Sequence, residues 1–251
     1  MRRELLYNPR LLCERLATES IRRRRLAKLR HTPGQWLSLG HIDSLELLEL
    51  VQREKINVIY DIGANVGTWS LLAKSIIPSA RIQAFEPLQR HCNIFAENMA
   101  DTKNVMLHQI AIGSENTKAV IHVTSFSDAS SLLTPMAESR SRFGVWDAEQ
   151  LSVQVRRLDD YRAEQNLPQP DLLKLDVQGY ELEALKGGAE CVRNAKALIT
   201  EVSFIEYYER QCFFHEVVGH LAESGLFVRA FGVNTPLGSV VEQTDVLFMR
   251  A

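Results

Sequence analysis

Long apolar runs and closely spaced cysteines are both missing from this sequence. No stretch of its 251 residues approaches the ~18 consecutive apolar residues of a membrane-spanning helix. The basic N-terminus also lacks the apolar centre of a secretory signal peptide. Its four cysteines, Cys13, Cys92, Cys191 and Cys212, lie too far apart in sequence for a zinc or redox pair, so we expect reduced thiols. These absences predict a cytoplasmic protein without a transmembrane segment.

Internal repeats and low-complexity tracts are absent as well. With 251 residues, of which 45% are hydrophobic, the chain can bury one substantial core. Its charge is unevenly spread, since residues 1–30 hold ten Lys or Arg and three Glu although the whole chain has a net charge of −2. Apolar residues recur among these charges and indicate amphipathic helices. We predict an N-terminal helical extension over residues 1–55, with affinity for an anionic partner, and one main domain over residues 56–251.

The two common phosphate-binding loops are also missing. A dinucleotide fingerprint needs Gly-x-Gly-x-x-Gly, and a Walker loop ends in Gly-Lys-Ser/Thr. The chain instead has Asp61-x-Gly63-x-Asn65-x-Gly67 between an apolar run and the start of a helix. Because an acid ahead of the turn repels a pyrophosphate and attracts an ammonium group, this spacing favours a cofactor with a cationic amino-acid end. We therefore predict that Asp61, Gly63, Asn65 and Gly67 bind S-adenosylmethionine.

A second acid follows at the spacing expected of a ribose ligand. Glu86 ends the next apolar run, 23 residues after the first glycine of the turn. In a βαβ unit, an acid ~20 residues beyond the glycine turn accepts hydrogen bonds from ribose hydroxyls. Pro87 then ends the strand and is itself a candidate cofactor ligand. The following run, residues 104–111, is expected to end near the adenine, which makes Gln109 and Ala111 further candidate cofactor ligands.

Strand-like and helix-like segments alternate along the main domain. This alternation indicates a parallel sheet with helices on both faces. The last two strands are expected to form an antiparallel terminal pair, and the fourth and fifth to pair at the sheet edge or beside the cleft. A polar, serine-rich loop is predicted over residues 125–148. The predicted strands span residues 57–62, 81–86, 104–111, 118–124, 151–157, 171–175, 197–202, 226–231 and 245–249.

The most specific motif combines a buried strand with charged residues. Within residues 171–187, Lys174 and Asp176 lie two positions apart, hence on one side of the strand, and Gln178-Gly179 and Glu181 follow. A charged pair in a buried strand is costly unless it is paired or functional. Asp176 therefore either lies beside the methyl donor or the acceptor hydroxyl, or Lys174 forms an ion pair with Asp176 or Glu181 that only orders the loop.

Together with the glycine turn and Glu86, this motif resembles the FkbM family of methyltransferases over about residues 56–250. The resemblance implies an α/β protein of the Rossmann-like class I methyltransferase fold. That fold has a mostly parallel seven-stranded sheet with an antiparallel terminal strand, here with extra β-hairpin strands and the N-terminal helical extension. It also implies an S-adenosylmethionine-dependent enzyme that methylates a hydroxyl oxygen, often on a sugar or a polyketide-type natural product. The family's Ser-Ser-Leu pattern is matched by Ser130-Ser131-Leu132.

Methylation of an alcohol oxygen requires removal of its proton, so a base within about 3 Å is expected to help. The candidate bases are Asp176, Glu201 and His215, in that order. Glu201 is followed by Val202, so the Asp-Asn pair that holds magnesium in catechol-type methyltransferases is missing and no metal is expected. The candidate acceptor-binding residues carry polar side chains near the predicted cleft: Ser130, Ser131, Gln178 and Glu181.

Alternatives to a small-molecule or glycan acceptor stay open at this point. The run Arg22–Arg25 suits the phosphates of a nucleic acid, although the rest of the chain is acidic and no Asn-Pro-Pro-Tyr type motif is present. The chain could also bind S-adenosylmethionine without catalysis, but such a protein is expected to lack an acid like Asp176. The N-terminal helices could join two copies in a homodimer.

Overall fold

The computed structural model describes residues 20–124, 129–136, 147–233 and 240–251. Within these residues, the strands are β1 (Val58–Ile62), β2 (Arg81–Phe85), β3 (Val105–His108), β4 (Ala111–Ile112), β5 (Thr117–Thr124), β6 (Asp147–Arg156), β7 (Leu172–Leu175), β8 (Ala197–Ser203), β9 (Leu226–Phe231) and β10 (Gln243–Arg250). The helices are α1 (Leu45–Val51), α2 (Thr68–Ile76), α3 (Gln89–Asn98), α4 (Leu158–Glu164), α5 (Glu181–Gly187), α6 (Ala189–Asn194) and α7 (Phe214–Glu223). Residues 20–27 are also helical, and Leu39–His41 forms a 3-10 turn before α1.

The larger sheet has the strand order β3-β2-β1-β7-β8-β10-β9. All pairs from β3 to β8 are parallel, whereas β10 runs antiparallel to both of its neighbours, β8 and β9. Strands β1 and β7 are buried along their whole length, as expected of central parallel strands covered by helices on both faces. The predicted α/β class, with a mostly parallel seven-stranded sheet and an antiparallel terminal strand, is confirmed.

The direction of strand progression reverses between β1 and β7. The chain moves outward from β1 to β2 and β3, then returns to the other side of β1 with β7 and β8. In open α/β sheets, ligands bind in the crevice outside the carboxyl ends of the strands at this reversal. The topology therefore directs attention to the loops that follow β1, β2 and β7.

The predicted strand over residues 104–111 is wrong in one respect, because the chain changes sheet within it. β3 ends at His108 in the large sheet, and β4 begins at Ala111 in a small sheet of order β4-β6-β5. The carbonyl oxygen of His108 accepts the N–H groups of Glu86 and Ile110, at 3.1 and 2.9 Å. The chain therefore turns after His108, and Ala111 pairs with β6 instead.

The N-terminal segment shares the core of the main domain. Leu45, Leu48 and Val51 of α1 are buried in the same apolar cluster as Ile59 of β1 and Ile199 of β8. This helix thus covers one face of the large sheet. Because the burial removes a continuous apolar surface from water, α1 stabilises the sheet that it covers.

Part of the basic charge of the N-terminal segment is paired within the chain. Arg25 Nε lies 2.7 Å from Glu46 Oε1, and Lys28 Nζ lies 2.6 Å from Glu49 Oε1. Both acids belong to α1, so these pairs tie the helical residues 20–27 and the turn after them to that helix. Surface pairs of this kind contribute roughly 0–1 kcal/mol each.

Three further sequence predictions concern the thiols, the membrane spans and the serine-rich loop. Within the described ranges, no helix is long and apolar enough to cross a membrane. Cys92, Cys191 and Cys212 are buried free thiols, as predicted, and Cys13 lies outside the described residues. Much of the serine-rich loop, residues 125–128 and 137–146, also lies outside them.

Candidate active site

A cavity of about 300 Å³ lies at the sheet edge where strand progression reverses. Its volume is at the lower end of the range, roughly 300–1,000 Å³, of small-molecule sites. The predicted site residues that line it are Gly63, Asn65, Glu86, Pro87, Ala111, Ser130, Ser131, Asp176, Gln178 and Glu201. The other predicted residues, Asp61, Gly67, Gln109, Glu181 and His215, are not among its lining residues.

The turn after β1 is left-handed at three positions. Gly63 and Gly67 have φ angles of +79° and +88°, and Asn65 has +48°, conformations that favour glycine and tolerate asparagine. A Cβ on Gly63 would lie 1.9 Å from the carbonyl oxygen of Asp176, whereas one on Gly67 would lie 2.8 Å from the Phe95 ring. Gly63 therefore lets the turns after β1 and β7 meet, and Gly67 packs the turn on α3.

Glu86 is buried at the end of β2, beside this turn. Its Oε2 accepts the N–H of Asn65 at 3.0 Å, and its Oε1 accepts the N–H of Leu88 at 2.9 Å. The ring Nδ1 of His91 lies 3.3 Å from Oε1. These contacts hold the carboxylate in one orientation, and each oxygen retains lone-pair capacity for a ligand hydroxyl.

Asp61 lies behind the cavity wall rather than on it. Its side chain is fully buried, Oδ2 accepts from Ser70 Oγ at 2.6 Å, and Oδ1 is 3.8 Å from Lys174 Nζ. Burial raises the pKa of Asp61, although Lys174 and the Ser70 hydrogen bond act in the opposite direction. In this position the carboxylate connects α2 and β7 beneath the glycine turn.

The residues predicted near an adenine separate at the change of sheet. Pro87, Ile110 and Ala111 line the cavity. Gln109 lies in the turn between β3 and β4, where its side chain is exposed. The structure therefore brings Ala111 to the cavity and leaves Gln109 outside its lining.

Gln178 links the two carboxylates that were predicted as bases. From a backbone with φ of +54°, its Nε2 donates to Asp176 Oδ1 at 2.7 Å and to Glu201 Oε2 at 3.2 Å. Tyr208 Oη lies 2.8 Å from the carbonyl oxygen of Ala129 and 3.2 Å from Gln178 Oε1, two acceptors that share its one proton, and so supports the end of the amide that points away from the carboxylates. The sequence did not point to this role of Tyr208, because it depends on a contact between distant loops.

Lys174 is buried between carboxylates and beside an indole ring. Its Nζ lies 3.2 Å from Asp176 Oδ2, 3.8 Å from Asp61 Oδ1 and 5.9 Å from the centroid of the Trp69 ring. Burial disfavours the charged ammonium, but Asp176, Asp61 and Asp245 outweigh it and raise the pKa of Lys174. Asp176 is thus ion-paired with Lys174 and also lies on the cavity wall, and its place beside the methyl donor or the acceptor stays a prediction.

Glu201 has the most perturbed environment of the cavity-lining acids. Burial raises the pKa of Glu201 well above its usual range, and the nearby carboxylates of Asp176, Asp245 and Glu181 add to the effect. A carboxyl group perturbed in this direction exchanges a proton closer to neutral pH than an ordinary glutamate. The geometry and the protonation behaviour of Glu201 both suit an acid–base role.

The serine segment meets the turn after β7. Ser131 Oγ donates to the carbonyl oxygen of Gln178 at 2.7 Å and accepts the N–H of Leu133 at 3.1 Å. Ser130 Oγ accepts the N–H of Thr124 at 3.4 Å. Both serines line the cavity, where they remain candidate acceptor ligands.

Two predicted site residues, Glu181 and His215, are not among the residues that line the cavity. Glu181 Oε1 accepts the N–H groups of Val177 and Gly179, at 3.0 and 3.2 Å, so its buried carboxylate holds the turn after β7. His215 is exposed on α7 and stacks on Phe213, with ring centroids 6.1 Å apart. The structure does not bring His215 to the cavity.

Several cavity residues were not predicted from the sequence. Asp43 and Ser44, in the segment before α1, line the cavity together with Asp245 of β10 and Trp69 of α2. Ser44 Oγ donates a hydrogen bond to Asp245 Oδ2, although the sequence pattern of α1 places Ser44 as a helix cap. The sequence signal for Asp245 was an acid within an otherwise apolar run. The structure places it directly opposite Glu201 in the β8–β10 register.

Asp245→Asn is expected to gain unfolding free energy relative to the natural chain as the pH rises from ~4 to ~7.5. Burial raises the pKa of Asp245 from 3.8 to about 6, against the lowering effect of the Ser44 hydrogen bond. Stability from a raised pKa is fully present below the unfolded-state pKa and is lost as the pH rises through the folded-state pKa. Asn does not titrate, so the difference in unfolding free energy should shift by on the order of 2 kcal/mol in favour of Asp245→Asn.

Urea unfolding at both pH values measures this difference, with Asp101→Asn, which removes an exposed acid, as the matched control. If the unfolding free energies of Asp245→Asn and the natural chain change equally with pH, the ionised Asp245 does not destabilise the folded protein.

The metal prediction rests on the same group of acids. Across the described part of the chain, no group of three or more His, Cys, Asp or Glu side chains is arranged to hold a metal ion. Independence of a metal therefore stays a prediction, to be tested by activity in the presence of a chelator.

A known protein family matches the part of the chain that carries these motifs. A family model described as "Methyltransferase FkbM domain" matches residues 61–228. The 2-O-methyltransferase NoeI of Sinorhizobium fredii is 31% identical over 161 residues, which is 61% of this chain and 66% of that protein. The hexuronic acid methyltransferase AglP of Haloferax volcanii is 25% identical over 163 residues, 65% of this chain and 62% of that protein. The chain thus spans 66% and 62% of the length of these two relatives.

A solved methyltransferase structure is also similar to this chain. The magnesium protoporphyrin IX methyltransferase (ChlM) from Synechocystis PCC 6803 is 12% identical, with a TM-score of 0.48, over 85% of this chain and 81% of that one.

Proposed function

The chain belongs to the FkbM methyltransferase family, and from this premise we propose that it transfers a methyl group from S-adenosylmethionine to a hydroxyl oxygen of a sugar, glycan or natural-product acceptor. One observation carries the proposal: buried Glu86 ends β2 directly beside the left-handed turn after β1, at the mouth of the cavity. A carboxylate there accepts hydrogen bonds from two vicinal hydroxyls, as a ribose presents them.

The cofactor site follows from the residues that meet at this edge. Bound S-adenosylmethionine would supply a methyl group activated by its sulfonium. The residues that would hold it line the cavity around the turn: Gly63, Asn65, Glu86, Pro87, Ala111 and Asp176. Asp61 and Gly67 support the turn from behind, and the predicted contact of Gln109 requires the β3–β4 turn to bring it in. The acidic lining suits a ligand with positive charge.

The acceptor hydroxyl is proposed to lie beside Asp176 and Glu201. Lys174 and Gln178 hold the Asp176 carboxylate in one orientation, so it can take the hydroxyl proton as the oxygen attacks. Glu201 shares the Gln178 amide with Asp176 and is the second candidate for that proton. Ser130 and Ser131 contribute further hydroxyl groups to the cavity lining.

The relatives support the acceptor class. NoeI is named as a 2-O-methyltransferase, and AglP as a hexuronic acid methyltransferase. Both names fit an oxygen acceptor on a small molecule or glycan, which is the partner that we propose for this chain.

The domain boundary and the homodimer stay predictions. We propose that residues 1–55 act as an extension that closes the cavity, since Gly40, Asp43 and Ser44 contribute to its wall, and that residues 56–251 form the methyltransferase domain. A contact between two extensions would cover Ile21 and Trp36, whose side chains are 58% and 50% exposed.

Glu86→Gln is expected to weaken S-adenosylmethionine binding about tenfold, because an amide offers one acceptor oxygen where the carboxylate offers two. Isothermal titration calorimetry measures the dissociation constant, and mass spectrometry of trideuteromethyl transfer to a panel of glycosides measures the reaction.

Glu97→Gln on the exposed side of α3 is the matched control. If Glu86→Gln and the natural chain bind the methyl donor equally, the ribose assignment fails. If the natural chain does not bind it at all, the proposed function fails.

A further inference from the structure

Acidic side chains outnumber basic ones on the cavity wall. Among the described residues that line it, five are carboxylic acids, one is a lysine and two are histidines: Asp43, Glu86, Asp176, Glu201, Asp245, Lys174, His41 and His91. Glu86 belongs to the proposed ribose site. The other four acids lie on the side of the cavity that faces β8, β10 and the N-terminal segment.

Two of these acids form a pair across neighbouring strands. Glu201 and Asp245 are directly opposed in the antiparallel β8–β10 register, so their side chains share one face of the sheet. Ser44 Oγ donates to Asp245, and Gln243 Nε2 donates to Glu201 Oε2 at 3.1 Å. Neutral donors thus orient both carboxylates without neutralising them.

Lys174 does not balance this pair. Its ammonium is engaged by Asp176 at 3.2 Å and by Asp61 at 3.8 Å. Two carboxylates therefore already oppose the one lysine of the described wall, so Lys174 is not available to an acidic group of an incoming acceptor. A carboxylate or phosphate on that acceptor would be repelled at short range in a partly buried setting, where screening is weak.

Trp69 adds a hydrogen-bond donor without a partner to the same wall. Trp69 lines the cavity and is 9% exposed, and its buried indole Nε1 has no hydrogen-bond partner among the described residues. A buried N–H without a partner carries a desolvation cost that a ligand oxygen removes. The wall thus offers one unmet donor beside several carboxylate acceptors, a combination that a hydroxyl group matches because it both donates and accepts.

We propose that Asp43, Glu201, Asp245 and Trp69 form an acceptor-selecting wall that binds uncharged polyols and rejects acceptors bearing a carboxylate or phosphate. The inference rests on the proposed methyl transfer to a hydroxyl and narrows its substrate class. Asp245 is the specificity residue that the wall adds to the predicted set, and the N-terminal segment takes part in selection through Asp43 and Ser44.

Selectivity is measured with methyl glycosides of glucose, galactose, mannose and fucose and with those of glucuronic and galacturonic acid. Trideuteromethyl transfer from labelled S-adenosylmethionine is followed by mass spectrometry. The natural chain is expected to methylate at least one neutral glycoside with a kcat/KM at least ~10-fold above that of either uronide. Faster or equal transfer to a uronide, or no transfer to any neutral glycoside, overturns the inference.

Variants separate charge from hydrogen bonding. Asp245→Asn keeps the size of the side chain and an oxygen that Ser44 can reach, so it removes the charge alone and is expected to raise the uronide-to-neutral ratio of kcat/KM about tenfold. Asp101→Asn removes an exposed acid away from the wall and controls for net charge. An unchanged ratio in Asp245→Asn contradicts the role of Asp245.

Calorimetry with S-adenosylmethionine on the same preparations distinguishes a failure of the proposed function from a failure of the acceptor-selecting wall. Loss of donor binding in the natural chain counts against the proposed function. Intact donor binding with a preference for uronides counts only against the acceptor-selecting wall.

Discussion

Asp176→Asn is expected to lower kcat for methyl transfer by about 10²- to 10⁴-fold while S-adenosylmethionine still binds. The amide keeps the size of the side chain and an oxygen that Gln178 Nε2 can reach, but it cannot take a proton from an acceptor hydroxyl. The Asp176 carboxylate lies on the cavity wall and is held from two sides, by Lys174 and Gln178. Single-turnover rates and donor calorimetry on one preparation measure the two effects separately.

Glu201→Gln is the informative comparison, because the two carboxylates share the amide of Gln178. If Asp176 is the base, Glu201→Gln should retain a larger share of kcat than Asp176→Asn. The reverse order would transfer the role to Glu201, whose raised pKa suits proton exchange near neutral pH. Full turnover by Asp176→Asn would remove Asp176 from the mechanism.

The central strands could be predicted from the sequence because their signal is local. The runs at residues 57–62, 81–86 and 171–175 are apolar and end at a turn, and the structure places β1, β2 and β7 there within one residue at each end. The run at residues 104–111 is equally apolar, but its chain leaves one sheet for another at His108. That change depends on hydrogen bonds to the end of β2, which no pattern within the run reveals.

The site residues differ in the same way, because those set by local spacing could be predicted and those set by distant contacts could not. Glu86 was found by its spacing from the glycine turn, since both ends of that spacing are set by adjacent strands of one βαβ unit. Asp245 was not found, because its position depends on β10 inserting between β8 and β9 and on a hydrogen bond from Ser44. His215 was placed near the cleft from its order along the chain, whereas its exposed position on α7 is a property of helix packing.

Gly63→Ala is expected to have the largest effect on both stability and cofactor binding. The φ angle of Gly63 is +79°, a region costly for alanine, and a Cβ there would lie 1.9 Å from the carbonyl oxygen of Asp176. Neither backbone can yield without displacing the turn after β1 or the one after β7. We expect a loss of about 2–4 kcal/mol in unfolding free energy and, in the folded fraction, a loss of at least ~10-fold in S-adenosylmethionine affinity.

Gly67→Ala and Gly219→Ala are matched controls at graded distances from the cavity. A Cβ on Gly67 also meets a positive φ, but its nearest neighbours are the side-chain ends of Met99 and Phe95, so stability should fall more than cofactor affinity. A Cβ on Gly219 within α7 meets nothing within 4 Å, so alanine there should add up to ~1 kcal/mol of stability. Urea unfolding and calorimetry measure all three variants. Natural affinity in folded Gly63→Ala would mean that the contact between the two turns does not shape the cofactor site.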